Sequence, residues 1–283
     1  MDFFRLIFRA LAFSAMSAIA ISCGMRQDTV RIMTYNVGVF DKYEESGIEQ
    51  TALFVGEMCP DVLILNEVDS CASRTGAVDQ LGQLSAMSGY GGFFAPALKS
   101  FQGGAYGIAQ MWRSSDRKPL KTFGVDLPKG DGYEPRAMVT AEYEDMVVAG
   151  THLDHKSKEA QILQVRIITD TLASMYASSG KPVFLCGDFN ALPDSPVMTY
   201  MREYWDVLSP ETATYPDADS LSRMTTQPAV SDEVPGKCID YIMILKGSAE
   251  YETVAAEVCV RSSFGTLLSA SDHLPVYVDV RLK

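Results

Sequence analysis

Lys181-Pro-Val-Phe-Leu-Cys-Gly-Asp-Phe-Asn190 is the stretch on which the reading of this chain turns. Its apolar run, Val183 to Cys186, lies between Pro182 and Gly187, the pattern of a buried strand that ends in a turn. Asp188 and Asn190 come next. In extended backbone, residues two apart share a side, so this carboxylate and this amide face one space. Together they can hold a water, a metal ion or a phosphoryl oxygen. An Asx-rich turn that leaves through Pro193 and Pro196 accounts for the same residues, so the neighbouring segments have to decide.

The same form recurs along the chain. Val30 to Asn36 alternates apolar and polar residues and ends in an amide; Asp61 to Asn66 is an apolar run followed by Glu67 and Asp69. Met146 to Thr151 runs into His152-Leu-Asp154-His155, and Cys238 to Ile244 carries Asp240 inside an otherwise apolar strand. Ser271-Asp272-His273 opens a last alternating strand through Val280. Buried carboxylates without partners are costly, so one such strand end is ordinary and a series of them is a site. The chain has only 3 histidines, and all of them fall in two of these segments, each beside an aspartate.

Between these segments the periodicity predicts helices over Ile48–Met58, Val78–Met87, Lys156–Met175 and Asp194–Tyr204. It predicts further strands over Gly91–Ala97, Tyr106–Arg113, Pro119–Val125, Arg136–Tyr143 and Tyr251–Val260. Ser209 to Lys237 is a long polar loop, of the kind that serves function. Cys186 reads as core, and no Cys/His spacing fits zinc.

The 283 residues, 47% hydrophobic, suit one large domain. The net charge of −12 and the lack of a basic tract make duplex nucleic acid a disfavoured partner. Residues 1–22 have the layout of a secretory signal, with Arg5 and Arg9 before an apolar stretch that ends Ala20-Ile-Ser-Cys23. A cysteine there resembles a bacterial lipoprotein signal, in which Cys23 is lipidated and residues 23–29 form a tether. The expectation is an exported monomer of the cell envelope, anchored to a bacterial membrane through Cys23.

Asn36, Leu65-Asn-Glu67, Thr151-His-Leu-Asp-His155, Gly187-Asp-Phe-Asn190, Ile239-Asp-Tyr241 and Ser271-Asp-His273, in this order, resemble the motifs of the endonuclease/exonuclease/phosphatase superfamily. The resemblance spans residues 30–283. It implies an α/β fold, a four-layer sandwich with two mainly antiparallel sheets face to face and helices outside. It also implies site roles. Glu67, with Asn36 and Asp272, would hold Mg²⁺ (Mn²⁺ as the alternative), and Asp188 would orient or deprotonate the attacking water. Asn190 would hold that water or a phosphate oxygen, His152 and His273 would bind the phosphate, and Asp240 would orient His273. Tyr106, Arg136 and Asp154 are further candidates for substrate contact. Two departures stand out: Gln161 occupies a position where many relatives have Arg, and His152 one where abasic-site endonucleases have Tyr.

The expected function is Mg²⁺-dependent hydrolysis of a phosphate ester, a diester or monoester on a small molecule or lipid head group. A nuclease acting on short nucleic acid is the alternative, and a surface binding protein without turnover is the second. Specificity would lie in the loops Gly38–Gly47, Ser100–Gly104 and Ser209–Lys237.

Overall fold

The computed structural model describes residues 29–42, 47–221, 234–262 and 270–283. The signal segment, Cys23 and parts of the Gly38–Gly47 and Ser209–Lys237 loops lie outside the described residues.

The strands are β1 (Val30–Asn36), β2 (Val62–Ser70), β3 (Tyr90–Phe101), β4 (Gly104–Arg113), β5 (Lys121–Leu127), β6 (Arg136–Glu142), β7 (Val147–His152), β8 (Val183–Asp188), β9 (Trp205–Val207), β10 (Tyr215–Pro216), β11 (Gly236–Lys237), β12 (Asp240–Leu245), β13 (Tyr251–Val258) and β14 (Val276–Leu282). The helices are α1 (Gly47–Met58), α2 (Gln80–Ser88), α3 (Lys158–Tyr176) and α4 (Pro196–Tyr204). Asp79, Ser157 and Ser195 cap α2, α3 and α4 by accepting from the N–H three residues on.

Two six-stranded sheets result, in the orders β13-β14-β1-β2-β4-β3 and β5-β6-β7-β8-β12-β9. All pairings within them are antiparallel except the central one of each, β1 with β2 and β7 with β8. The expected sandwich is therefore the observed one. A two-residue pairing of β10 with β11 closes the base of the Ser209–Lys237 loop.

Side-chain parity explains the layers, because successive residues of a strand point to opposite faces. Ile32, Ile64, Val148, Phe184, Cys186, Ile242 and Val278 fill the space between the sheets. Met33, Tyr35, Leu63 and Leu65, one position away, pack under α1 and α2 with Phe54 and Leu84. Val147, Leu185, Tyr241 and Met243 pack under α3 and α4 with Val165, Ile168 and Met198. Asn36, Asn66, Asp188 and Asp240 lie an even number of residues from inter-sheet positions on their own strands. The site is thus the polar end of the inter-sheet core.

Candidate active site

Strand register assembles the site. His152 pairs with Asp188 across β7 and β8, and Asp188 pairs with Asp240 across β8 and β12. Three polar side chains thus stand side by side in one sheet, at the strand spacing of about 4.8 Å. Asn36 pairs with Asn66 in the other sheet. Gly187 makes the close pairing possible: its φ is +138°, and a Cβ there would lie 1.9 Å from Thr151 O.

Two site residues occupy backbone conformations that L side chains rarely adopt. Glu67 has φ 57° and Asn190 has φ 48°. Glu67 sits in a β-bulge, where the β2–β4 register shifts between Leu65 and Val68. The bulge turns Glu67 out of the strict alternation and toward the end of the sheet.

Asn36 links the two halves. Its Nδ2 donates to Glu67 Oε1 (3.1 Å) and to Asp188 Oδ2 (3.0 Å), and lies 3.4 Å from His273 Nε2. Its Oδ1 accepts from Gly38 N at 3.1 Å. The amide oxygen is thus turned to the Gly38 backbone, and the amide N–H groups face the two carboxylates. Asn36 orients two carboxylates.

Asp188 is buried. Its Oδ1 accepts from Asn190 N at 2.8 Å, and its Oδ2 lies 3.5 Å from His152 Nε2 and 3.7 Å from His273 Nε2. Burial, then the neighbouring Asp240, raise its pKa to about 7, against the pull of His273 and of the Asn190 and Asn36 hydrogen bonds. The two histidines are driven apart. Burial disfavours charge on His273, but Asp240, with its Oδ2 2.9 Å from Nδ1, then Asp188 and Asp272, raise its pKa to about 10. Burial, then Arg136, hold His152 well below the ordinary histidine value. His273 is the cationic member of the pair and His152 the neutral one.

Arg136 is buried, with Nη1 3.4 Å from His152 Nδ1, Nη2 3.2 Å from His155 Nδ1, and an ion pair to Glu134 at 2.8 Å. Tyr106 is buried, within electrostatic reach of Arg136 and Glu67. Both candidates therefore border the site. Asp154 does not. Its Oδ1 accepts from Lys156 N and Ser157 N, both at 2.8 Å, and its Oδ2 from Tyr133 N at 2.6 Å. Asp154 is fully buried and braces the turn into α3 with both of its oxygens accepting from backbone N–H groups. Gln161 ties that turn to the neighbouring one, donating to Asp154 O (2.7 Å) and Asn190 O (2.9 Å).

Some residues of the site were not singled out in the sequence. Asn66 is fully buried and crosses between the sheets, donating to Thr151 O (2.8 Å) and accepting from Asp188 N (3.2 Å). Ser271 Oγ donates to Asn36 O at 2.6 Å and accepts from His273 N at 3.2 Å, which fastens the last motif to β1. Arg74 forms a bidentate pair with buried Asp69 (2.7 and 2.8 Å) and lies over the rings of Phe101 and Tyr106. Asn66 and Ser271 carried a signal, as members of the quoted motifs; Arg74 carried none.

Oxygen donors suited to a hard divalent cation are present. Among the described residues Glu67 Oε2 takes no hydrogen bond. Glu67 is half-buried, and Asp272 is half-buried with an ion pair to Lys42 at 3.0 Å. A separate buried group, Asp188, Asp240 and His273, brings ligand-type atoms within 4.8 Å of one another. The donor chemistry at this end of the sandwich fits a divalent metal.

The sequence pattern of the Endonuclease/Exonuclease/phosphatase family matches residues 33–273. The chain belongs to this family. Its members are hydrolases that act on phosphoester bonds and are generally dependent on a divalent metal. No curated protein sequence matches the chain. Solved structures of the same fold include a functionally unknown conserved protein from Enterococcus faecalis (TM-score 0.70, 19% identity, covering 90% of this chain and 100% of that one). Others are the mannosyl-6-phosphatase of Bacteroides thetaiotaomicron (0.68, 15%, 89% and 99%) and D. rerio TDP2 complexed with single strand DNA product (0.67, 14%, 90% and 99%). At such identities the likeness to these structures is one of fold.

Proposed function

We propose that the chain is a divalent-metal-dependent phosphoester hydrolase in which Asp188 activates the attacking water. The alignment of His152, Asp188 and Asp240 in one sheet, facing Asn36 and Glu67 from the other, carries this reading. A cation held by Glu67 and Asp272, Mg²⁺ with Mn²⁺ as the alternative, supplies electrophilic stabilisation of the phosphoryl and leaving oxygens when bound.

The protein's own groups do the rest. Asp188 Oδ2 receives the proton of the water that attacks phosphorus while the bond from phosphorus to the ester oxygen breaks and the alcohol leaves, taking its proton from solvent; Asn36 holds Oδ2 in place. Asn190 Nδ2, which donates to Leu153 O at 3.1 Å, is fixed beside His152 and steadies the water or a phosphoryl oxygen. His273, protonated and backed by Asp240, faces the growing negative charge of the phosphoryl group. His152 adds a neutral contact on the opposite side, and Arg136 and Tyr106 border the space beyond it.

The preferred substrate is a small-molecule or lipid-head-group phosphate ester. The fold relatives act on or bind chemically different phosphoesters, so the choice rests on the net charge of −12. Export and a lipid anchor at Cys23 are part of the proposal and rest on the N-terminal sequence. Among the described residues no helix is long and apolar enough to cross a membrane.

The test is hydrolysis by the purified chain with Mg²⁺ and with EDTA. The panel is bis-p-nitrophenyl phosphate, p-nitrophenyl phosphate, sphingomyelin, inositol phosphates and plasmid DNA. Metal-dependent release from one class, lost in Asp188→Ala, supports the reading. Nicking of plasmid alone would replace it with a nuclease. A folded protein that binds Mg²⁺ and turns over nothing in the panel would favour a binding protein.

A further inference from the structure

We propose that Thr214 is a positioning residue that holds the Asp240 carboxylate against His273. The inference deepens the hydrolase reading and rests on it for the role of His273.

Thr214 lies in the Ser209–Lys237 loop, immediately before β10, and is fully buried. A hydroxyl has one proton to give and two lone pairs to fill. The N–H groups of Ile239 and Asp240 both donate to Thr214 Oγ1, each at 3.1 Å. The hydroxyl proton is thereby committed to its remaining neighbour, Asp240 Oδ2, at 2.6 Å. That oxygen is the one 2.9 Å from His273 Nδ1. The backbone of Thr214 is held as firmly: its N–H donates to Lys237 O at 2.9 Å, and its carbonyl accepts from Leu274 N at 2.7 Å. One residue is thus fastened to the start of β12, which carries Asp240, and to the residue after His273.

The other carboxylate oxygen sharpens the point. Asp240 Oδ1 is buried and has no hydrogen-bond partner among the described residues. Among the described residues only Thr214 and His273 fix the rotation of this carboxylate about its terminal bond. Without the Thr214 hydroxyl, His273 is the one hydrogen-bond partner left to the carboxylate among the described residues; its plane can swing about the terminal bond, and the Oδ2–Nδ1 contact loses its fixed geometry. The Tyr215 ring, edge-on to the His273 ring at 4.9 Å between centroids, packs the imidazole from the same loop but offers the carboxylate nothing.

The experiment compares the full chain with Thr214→Val, Thr214→Ser, Asp240→Asn and the Thr214→Val/Asp240→Asn double variant, on the best substrate of the panel above. Thr214→Val is expected to lower kcat about tenfold, the loss of one hydrogen bond to a charged group, with KM unchanged. Thr214→Ser is expected to restore the rate. The double variant should be no slower than Asp240→Asn, because Thr214 acts only through Asp240.

A second readout does not depend on turnover. The proton between His273 Nδ1 and Asp240 gives a downfield proton resonance in the unmutated chain and in Thr214→Ser, which is lost in Thr214→Val. Should Thr214→Val fail to fold, Thr214→Ala against Thr214→Ser makes the same comparison. The absence of that resonance from the unmutated chain overturns the proposal without any variant. An active Thr214→Val with the unmutated kcat, or additive losses in the double variant, also overturns it. A chain that hydrolyses nothing but keeps the resonance, and loses it in Thr214→Val, leaves the positioning role standing and fails the hydrolase reading instead.

Discussion

Asn36 Nδ2 stands 3.0 Å from Asp188 Oδ2, so one hydrogen bond joins the end of β1 in one sheet to the end of β8 in the other. The same nitrogen reaches Glu67 Oε1 at 3.1 Å. Asn36→Ala is therefore expected to release both carboxylates at once. The kcat should fall by about 10²-fold, the scale of a misplaced general base. The far-UV CD spectrum should not change, because the apolar layers do not involve this side chain. Steady-state rates on a phosphate ester check it, and a variant within twofold of the unmutated chain would remove Asn36 from the site.

Glu67 is a half-buried carboxylate whose Oε2 takes no hydrogen bond among the described residues, and metal removal should show its role. EDTA is expected to abolish hydrolysis, and Mg²⁺ to restore it. Glu67→Gln should raise the Mg²⁺ concentration for half-maximal rate by about 100-fold. Binding to the folded state alone also predicts that Mg²⁺ raises the Tm of the unmutated chain and moves that of Glu67→Gln less. Hydrolysis that survives EDTA would contradict both expectations.

Asp154 gives a stability prediction with a definite pH dependence. Burial works against its charge, yet the N–H groups of Ser157, Lys156 and Tyr133, and then Arg136, hold its pKa below the usual carboxylate value. A depressed folded-state pKa stabilises the fold above the unfolded value, about 3.9, and that stability is lost as pH falls through the folded-state pKa. Asp154→Ala should lower the unfolding free energy by about 2 kcal/mol at neutral pH. The gap to the unmutated chain should close below about pH 4. Urea titrations at pH 7 and pH 3 measure it, and a gap that is constant with pH would be the wrong result.

Gly187 cannot carry a side chain. With φ at +138° and a Cβ that would meet Thr151 O at 1.9 Å, Gly187→Ala has to part β7 from β8. The expected cost is about 3 kcal/mol or more, from strain and broken pairing together. Activity should fall with it, since His152 and Asp188 pair one residue beyond. A Tm within a degree or two of the unmutated chain would count against the geometry given for this turn.

Much of this was legible in the sequence, because strand parity acts over a few residues. Alternation in Val30–Asn36 and the apolar run Val183–Cys186 put Asn36 and Asp188 on the inward face, and the motif order brought them together. What escaped depends on partners far along the chain. Thr214 meets Asp240 across 26 residues of polar loop, and Asn66 meets Asp188 across 122. No periodicity encodes either contact. The direction of the Asn36 amide also escapes the sequence, because composition does not say which end of an amide faces inward; the Gly38 N–H sets it. Asp154 was drawn into the site by its motif, while the turn into α3 had already claimed both of its oxygens. The bulge that aims Glu67 has no residue signature of its own.

The parallel pair at the centre of each sheet also bears on how the molecule comes to life. β1 and β2, joined through α1, carry Asn36 at the end of one and Glu67 in the bulge of the other, while β7 and β8, joined through α3, end in His152 and Asp188. Glu67 belongs to one sheet and Asp188 to the other, so neither sheet alone contains both carboxylates. During refolding, catalytic competence can therefore emerge no earlier than the closure of the apolar layer between the sheets. Recovery of activity is a clock for that last event, and secondary structure will return ahead of it.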